Sequence, residues 1–266
     1  RRLQHRHEIL VMTTKTPQRG FTLVEILAVI GIIAVLLAFL VPSIRTARLA
    51  SLNTQDLSQL RQLGVAHVSY QMFNDDFFVD VGLPHGGYGN EALSFAEVLK
   101  PYSDDILLKS PLDDSRHWPE DLGGDGRGVG PNGDGPLRRT SYGMNNYLSR
   151  NYSPTVAIEG PGAAVDRMTK VRRPERYVSF LHMTRKGSFA VSDHPHVETW
   201  SAIPSPWIPA STQVTIWAAD GSEVIDSLAT SNYGFLDGSV AARYFENVFL
   251  DIDENAFDPA AKALPR

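Results

Sequence analysis

One carboxylate stands out among the residues whose type and spacing could do chemistry. Glu25 is the single charged residue in the run from Phe21 to Val41, which reads FTLVEILAVIGIIAVLLAFLV. Inside a bilayer an ionised carboxylate costs about 2.5–3.5 kcal/mol near a helix centre and less near a helix end. Glu25 therefore either reaches toward lipid headgroups or neutralises a buried cationic partner, most simply on a neighbouring subunit.

A second candidate is the segment DHPHVE at residues 193–198. In an extended strand the side chains of His194, His196 and Glu198 would point to one side, as ligands of a zinc ion do. Pro195 interrupts such a strand, and the segment offers no fourth ligand. A polar loop is the favoured interpretation, and no metal site is predicted here.

An acidic, glycine-rich stretch offers oxygen ligands. Calcium prefers six to eight oxygens, so a structural calcium ion is an alternative to a solvated loop, although the spacing fits no EF-hand. The prediction is that the chain carries no cofactor. The donors are Asp113, Asp114, Asp121, Asp125, Asn132 and Asp134.

Catalytic motifs are missing from the sequence. It has no G-x-S-x-G elbow, no Walker A motif and no H-E-x-x-H. We therefore predict a protein that is not an enzyme. Trp200, Trp207 and Trp217 could form a platform for a sugar, although aromatic side chains more often lie in a core.

Composition excludes several classes of protein. The chain has 266 residues, 42% of them apolar, no cysteine and a formal net charge of −5. It is therefore neither a disulfide scaffold nor a disordered chain, and it has no thiolate metal site. The acidic balance argues against nucleic acid as a partner.

The apolar run has the length of a membrane span. As a helix its 21 residues cover about 31 Å, close to the hydrocarbon core of a bilayer. A secretory signal peptide is the alternative, but the run is longer than a usual h-region and residues 46–50 are a poor cleavage site. A single membrane-spanning helix is the better prediction.

The residues around Glu25 resemble the prepilin cleavage and methylation signature of type IV pilins and type II secretion pseudopilins. The signature here is RGFTLVEI, residues 19–26. The resemblance implies that a prepilin peptidase cuts between Gly20 and Phe21, that Phe21 is then N-methylated, and that Glu25 becomes the fifth residue. If translation starts at Met12, the leader has nine residues, within the family's usual range.

Cleavage would create an ion pair between subunits. The new α-amine of Phe21 has a reference pKa near 7.7–8.0 and is mostly cationic at neutral pH. In a polymer it can neutralise Glu25 of a neighbouring subunit in a low dielectric and so set the axial register. Removing residues 1–20 also changes the formal net charge from −5 to −9.

Three further segments resemble a subgroup of pilin-like proteins that carries CP-x-D, SYGMN and F-x-DGH-V segments. Here the segments are SPLD at 110–113, SYGMN at 141–145 and FLDGSV at 235–240. Serine replaces the usual cysteine at Ser110 and the usual histidine at Ser239. Asp226 occupies the place of a second histidine of the subgroup.

The elements that must position these residues form an α+β, pilin-like fold, in which a long N-terminal helix packs on a small antiparallel sheet. Leucines at helical spacing continue the helix to about Phe73, with Asp56 assigned to its polar side. Pro42 would kink or unwind this helix, and Gly64 would mark close packing. A short helix is predicted at 91–99, strands at 176–182, 187–192 and 214–218, and a hairpin at 233–244 with a two-residue Asp-Gly turn. The predicted domains are a leader (1–20), the long helix (21–74, spanning the membrane at 21–41) and a globular domain (75–266).

Two functions of different classes remain. The first is a structural pseudopilin or pilin subunit in the inner membrane, whose domain lies in the periplasm or on an extracellular filament. Its partners would be the prepilin peptidase, other pilin subunits and the inner-membrane assembly platform. The second is a membrane-anchored periplasmic module that binds a ligand such as a carbohydrate. Glu25 would discriminate between them, since a simple anchor has no evident use for it.

Overall fold

The chain folds into one long helix and a domain built around a small sheet. The computed structural model describes residues 20–103 and 108–264, so most of the expected leader, residues 1–19, lies outside the described residues. By its contacts the chain divides into two compact units, Arg1–Thr46 and Ala47–Arg266. Helix α1 runs from Leu23 to Phe73, as the sequence predicts, and remains helical through Pro42, so the expected unwinding there is wrong.

The described part of the first unit exposes its apolar side chains. The large ones from Phe21 to Ile44 are 46–84% exposed. Helix α1 is the one described helix that is long and apolar enough to cross a membrane. A helix segment that is apolar on all sides, with its described side chains exposed, fits a single-pass membrane anchor.

The second unit holds a four-stranded antiparallel sheet with the strand order β1-β2-β3-β4. The strands are β1 (Tyr142–Met144), β2 (Val178–His182), β3 (Thr230–Phe235) and β4 (Val240–Tyr244). This combination of a long N-terminal helix and a small antiparallel sheet is the α+β, pilin-like fold expected from the sequence.

Short helices and turns connect these strands. The remaining α-helices are α2 (Phe95–Val98), α3 (Pro154–Glu159) and α4 (Trp207–Ser211). The 3₁₀ turns are Glu91–Leu93, Lys100–Tyr102, Glu120–Leu122, Asn146–Leu148, Pro161–Ala163, Met168–Lys170, Pro174–Arg176, Ser188–Val191, Val197–Ala202 and Phe245–Asn247. The predicted helix at 91–99 is thus divided into a 3₁₀ turn and α2.

Two predicted strands are wrong. Residues 188–191 form a 3₁₀ turn, and residues 214–218 make only an isolated bridge, between Met183 and Val214. Short apolar runs of this kind do not distinguish a strand from a buried turn by their periodicity. The sequence also missed β1, whose three residues are too few for a recognisable alternation.

The predicted hairpin is confirmed with a different turn. Gly234 pairs with Val240, and the Phe235 N–H donates to the Ser239 carbonyl at 2.8 Å. The loop therefore has three residues and ends with Gly238 at φ 78°. A left-handed glycine at that position is the usual solution for a three-residue hairpin loop.

The second half of α1 packs on this domain through one face. Leu60, Leu63 and Ala66 are fully buried and join a core cluster that includes Phe180 of β2. On the same face a Cβ added to Gly64 would lie 3.4 Å from the Cα of Gly238. The predicted close packing at Gly64 is therefore present, and its partner is the hairpin loop.

Candidate functional site

The Gly20–Phe21 bond lies in exposed, non-helical chain immediately before α1. Phe21 is 84% exposed, and a Cβ added to Gly20 would meet nothing within 4 Å. The helix begins two residues after this bond, at Leu23. The bond is therefore exposed and outside the helix, as a protease substrate must be.

Glu25 closes a hydrogen-bonded cap at the start of the helix. Its Oε2 accepts from the Thr22 N–H at 2.8 Å and from the Thr22 hydroxyl at 2.9 Å. The Glu25 N–H in turn donates to Thr22 Oγ1 at 3.2 Å. Reciprocal bonds between an N-cap threonine and a glutamate three residues later form a capping box.

The cap changes what Glu25 indicates. The capping box gives the carboxylate a structural role within its own chain. The expectation that a simple membrane anchor has no use for Glu25 is therefore wrong. Both side-chain bonds from Thr22 end on Oε2. The other carboxylate oxygen, Oε1, has no partner among the described residues and can accept a cationic donor from another molecule.

A second carboxylate of α1, Asp56, is fully buried and binds four side chains. Its Oδ1 accepts from the Ser110 hydroxyl at 2.5 Å and the Tyr142 hydroxyl at 2.7 Å. Its Oδ2 lies 2.9 Å from His182 Nε2 and accepts from Asn232 Nδ2 at 2.7 Å. These five residues, the Asp56 cluster, join the helix to a loop and to three strands.

Electrostatics keep Asp56 ionised in this place. Burial alone raises the pKa of Asp56, but the charge of His182 and the hydrogen bonds from His182, Ser110 and Asn232 outweigh it. The net result is a pKa of about 2. A carboxylate held by this many donors is an attachment point of the helix rather than a proton-transfer group.

His67, on the same face of α1, is held neutral. Its ring is buried against Phe78 and Phe180, and its Nε2 accepts from the Val79 N–H at 3.3 Å. Burial lowers the pKa of His67 to about 3. Protonation would remove the acceptor and place a charge among aromatic rings.

The Asp56 cluster continues into a buried ion pair. The Ser110 N–H donates to Ser141 Oγ at 2.8 Å, and the Ser141 hydroxyl donates to Asp113 Oδ2 at 2.5 Å. Asp113 pairs with Arg138 at 2.7 Å, with both side chains at most 3% exposed. The SPLD and SYGMN segments singled out in the sequence therefore meet in space.

The assignment of Asp56 to the polar side of the helix is wrong. The structure buries its side chain completely. The available signal was its spacing, since Asp56 stands four residues after Leu52 and four before Leu60. A carboxylate in the middle of an apolar stripe predicts a buried partner.

The histidines near 194 are fixed by acids. His194 Nδ1 lies 2.9 Å from Asp193 Oδ1, and His196 Nδ1 lies 3.1 Å from Glu198 Oε1. Glu198 also accepts a hydrogen bond from Asn146 Nδ2 at 2.7 Å. Its two carboxylate oxygens therefore bind His196 and Asn146, and Glu198 does not act as a metal ligand beside the histidines. Within 20–103 and 108–264 no group of three His, Asp or Glu side chains is arranged to hold a metal ion.

Three of the five aspartates predicted as calcium donors are paired with arginines in the structure. Asp113 binds Arg138, Asp114 binds Arg185 at 3.0 Å, and Asp125 binds Arg116 at 3.0 Å. Of the three tryptophans, Trp200 is fully buried in a core cluster with Phe249, whereas Trp207 and Trp217 are partly buried. The prediction that all three tryptophans form a platform for a sugar is therefore wrong.

One comparison with known proteins gives a match. Residues 15–41 match a family model described as the prokaryotic N-terminal methylation motif. The matched range contains Gly20, Phe21, the capping box and the apolar run to Val41. No curated protein and no solved structure matches the chain significantly.

Proposed function

We propose that the chain is a pilin-like or pseudopilin protein with a structural role, namely a filament subunit. The match of residues 15–41 to the prokaryotic N-terminal methylation motif supports this proposal. A prepilin peptidase cleaves it between Gly20 and Phe21, and Phe21 is N-methylated. The mature chain joins other pilin subunits in a type II secretion pseudopilus or a type IV pilus-like filament.

The proposal is carried by the exposed Gly20–Phe21 bond at the border of a membrane-spanning helix. The bond lies outside the helix, and the helix cap begins only at Thr22. Cleavage at this bond leaves the capping box complete, since neither Thr22 nor Glu25 is removed. The processed helix therefore starts from the same N-cap as the precursor.

The carboxylate of Glu25 supports assembly of subunits. Its free Oε1 can accept the cationic amine of Phe21 from a neighbouring subunit while Oε2 keeps the cap of its own helix. In lipid or in a packed filament the surroundings have a low dielectric, where such a pair is strongly favoured over an unpaired charge. Repetition of the pair from subunit to subunit fixes the axial register.

The proposed location follows from the anchor. Residues 21–41 cross the inner membrane once, and the globular domain lies in the periplasm or on the filament surface. The leader is 1–20, the long helix 21–74 and the globular domain 75–266. The inner-membrane assembly platform is the partner that would extract the subunit from the bilayer.

The first experiment is the N-terminal mass of the full protein, purified from membranes with and without the prepilin peptidase. The expected mature chain begins at N-methylated Phe21, and the peptidase-deficient strain retains the leader. The variant Gly20→Ala keeps the fold, since its Cβ meets nothing, and is expected to slow cleavage. An intact leader in the presence of peptidase, or a cut beyond Val41, would contradict the proposal.

A further inference from the structure

The second unit has an open cavity whose lining includes none of Gly20, Phe21 and Glu25. Its volume is about 640 Å³, within the range of small-molecule sites. The walls are the turns 114–116 and 184–187 and the pair Ser211 and Thr212. Trp217, Glu223 and Ile225 complete the lining.

Two walls of this cavity are held by buried polar groups. Arg138 donates to the Thr184 carbonyl at 2.6 Å and pairs with Asp113. Asp113 accepts from the Ser115 N–H at 2.9 Å, and the Ser115 hydroxyl donates to the Arg185 carbonyl at 2.7 Å. Two turns far apart in sequence are thus fixed against each other before any ligand binds, which lowers the entropic cost of binding.

The charges of the lining are largely compensated. Arg185 pairs with Asp114 at 3.0 Å, and Arg116 pairs with Asp125 at 3.0 Å. Lys186 and Glu223 also line the cavity without an ion pair among the described residues, and their opposite charges offset each other. Because the lining thus carries almost no net charge, it favours a neutral, hydrogen-bonding ligand over a polyanion.

Besides Lys186, two groups of the cavity have no partner in the described part of the chain. The carboxylate of Glu223 is exposed and has no hydrogen bond or ion pair among the described residues, and its backbone has φ 54°. The indole N–H of Trp217 is buried without a partner in the described chain. A left-handed backbone at a glutamate is sterically unfavourable, so the side chain is placed there at a cost.

We propose that this cavity binds a neutral oligosaccharide. The apolar face of a pyranose ring stacks on the partly buried indole of Trp217. Sugar hydroxyls donate to the Glu223 carboxylate and exchange hydrogen bonds with Ser211 and Thr212. This combination of one aromatic surface with several polar groups suits a ring that has an apolar face and a polar rim.

The test uses the full-length protein in lipid nanodiscs and isothermal titration calorimetry. The neutral probes are hexasaccharides of β-1,4-linked glucose, xylose and N-acetylglucosamine, and the anionic probe is hexagalacturonate. At least one neutral probe is expected to bind. The variant Trp217→Ala should weaken that binding by about tenfold.

The matched control is Trp207→Ala. Trp207 is also partly buried and packs against the same core cluster, but it does not line the cavity. Its removal should change affinity by less than about twofold. Glu223→Gly, which suits the left-handed backbone and removes the exposed side chain with its carboxylate, should weaken binding by about threefold with an unchanged melting temperature.

Three results would overturn the proposal. The first is that no neutral hexasaccharide binds at concentrations up to 10 mM. Such a failure would place the dissociation constant above about the millimolar range. The second is binding of hexagalacturonate alone, which would indicate a charge-driven site. The third is neutral-sugar binding that Trp217→Ala and Glu223→Gly leave unchanged. Correct N-terminal processing, measured on the same samples, reports separately on the filament proposal.

Discussion

Glu25 and Asp56 are two carboxylates of one helix with opposite surroundings. Glu25 is exposed, and within the described part of the chain its carboxylate bonds to Thr22 alone, three residues away. Asp56 is 0% exposed and binds four side chains from a loop and the sheet. The buried acid is fully engaged inside the domain, whereas the exposed acid keeps an oxygen for another molecule. The fold therefore uses Asp56, and assembly is expected to use Glu25.

The largest effect is expected from Glu25→Ala. It should leave cleavage and the melting temperature of the domain unchanged and abolish incorporation into filaments, because the register pair and the cap are both lost. The measurement is the amount of the protein in sheared filaments relative to membranes, with Thr22→Ala as the control for lost capping alone.

Glu25→Gln separates the charge from the cap. Glutamine retains a carbonyl oxygen that can complete a capping box, but it has no charge for the Phe21 amine. We expect it to fail in incorporation as Glu25→Ala does. Normal incorporation of Glu25→Gln would mean that the carboxylate serves only its own helix.

Asp56→Asn should be the most damaging of these substitutions for the domain itself. It keeps the shape but places amide hydrogens against some of the donors around residue 56 and removes the charge that faces His182. Breaking a buried pair in this way costs about 3–5 kcal/mol in the free energy of unfolding. Chemical denaturation measures it, and Gln55→Ala, at an exposed neighbouring position, is the control with almost no expected change.

The stability of the domain should fall in two pH windows. His67 has a folded pKa of about 3, below the unfolded value near 6.5, so its contribution is present above pH 6.5 and declines below it. The loss is about 2–3 kcal/mol between pH 6.5 and 4.5. The pKa of Asp56, about 2, lies below its unfolded value near 3.9, so its contribution declines below pH 4.

Thermal unfolding at several pH values tests both windows. The variant His67→Phe should remove most of the dependence between pH 6.5 and 4.5, since it keeps the ring contacts with Phe78 and Phe180. The steep part below pH 4 should remain in that variant. An unchanged slope above pH 4.5 in His67→Phe would contradict the assignment.

The smallest effect is expected at Gly64. A Cβ there would lie 3.4 Å from Gly238 Cα, an ordinary contact. Gly64→Ala should therefore be neutral or stabilise the helix by up to about 1 kcal/mol through helix propensity. Gly64→Leu should destabilise the domain, because the larger side chain must displace the hairpin loop. Equal melting temperatures for the two variants would argue against close packing at this point.

The sequence predicts secondary structure well where a local pattern of residues determines it. The apolar run from Phe21 to Val41 specifies a helix by itself, and the alternation around the Asp-Gly pair specifies the hairpin. The two strands predicted at 187–192 and 214–218 are wrong because the same apolar residues also suit turns buried in a core. Which of these forms depends on neighbours that are distant in sequence.

The Asp56 cluster could be predicted only in part. An acid on an apolar stripe indicates a buried partner, but four of its five members lie 54 to 176 residues away from Asp56. Nothing in single-sequence spacing connects Asp56 to Asn232. The N-terminal site could be predicted for the opposite reason, since Gly20, Phe21 and Glu25 lie within six consecutive residues.

These separations also bear on the order of folding. Asn232 of β3 binds Asp56 across 176 residues of chain, so the helix face cannot complete its contacts until nearly the whole polypeptide has been made. Long-range closure of this kind is slow and leaves apolar surface exposed in the meantime. Leu60 and Leu63 share a core cluster with Leu236 of the C-terminal hairpin. They would thus stay partly uncovered in the nascent protein until that hairpin is made, which makes this stretch of the helix a natural contact for a chaperone.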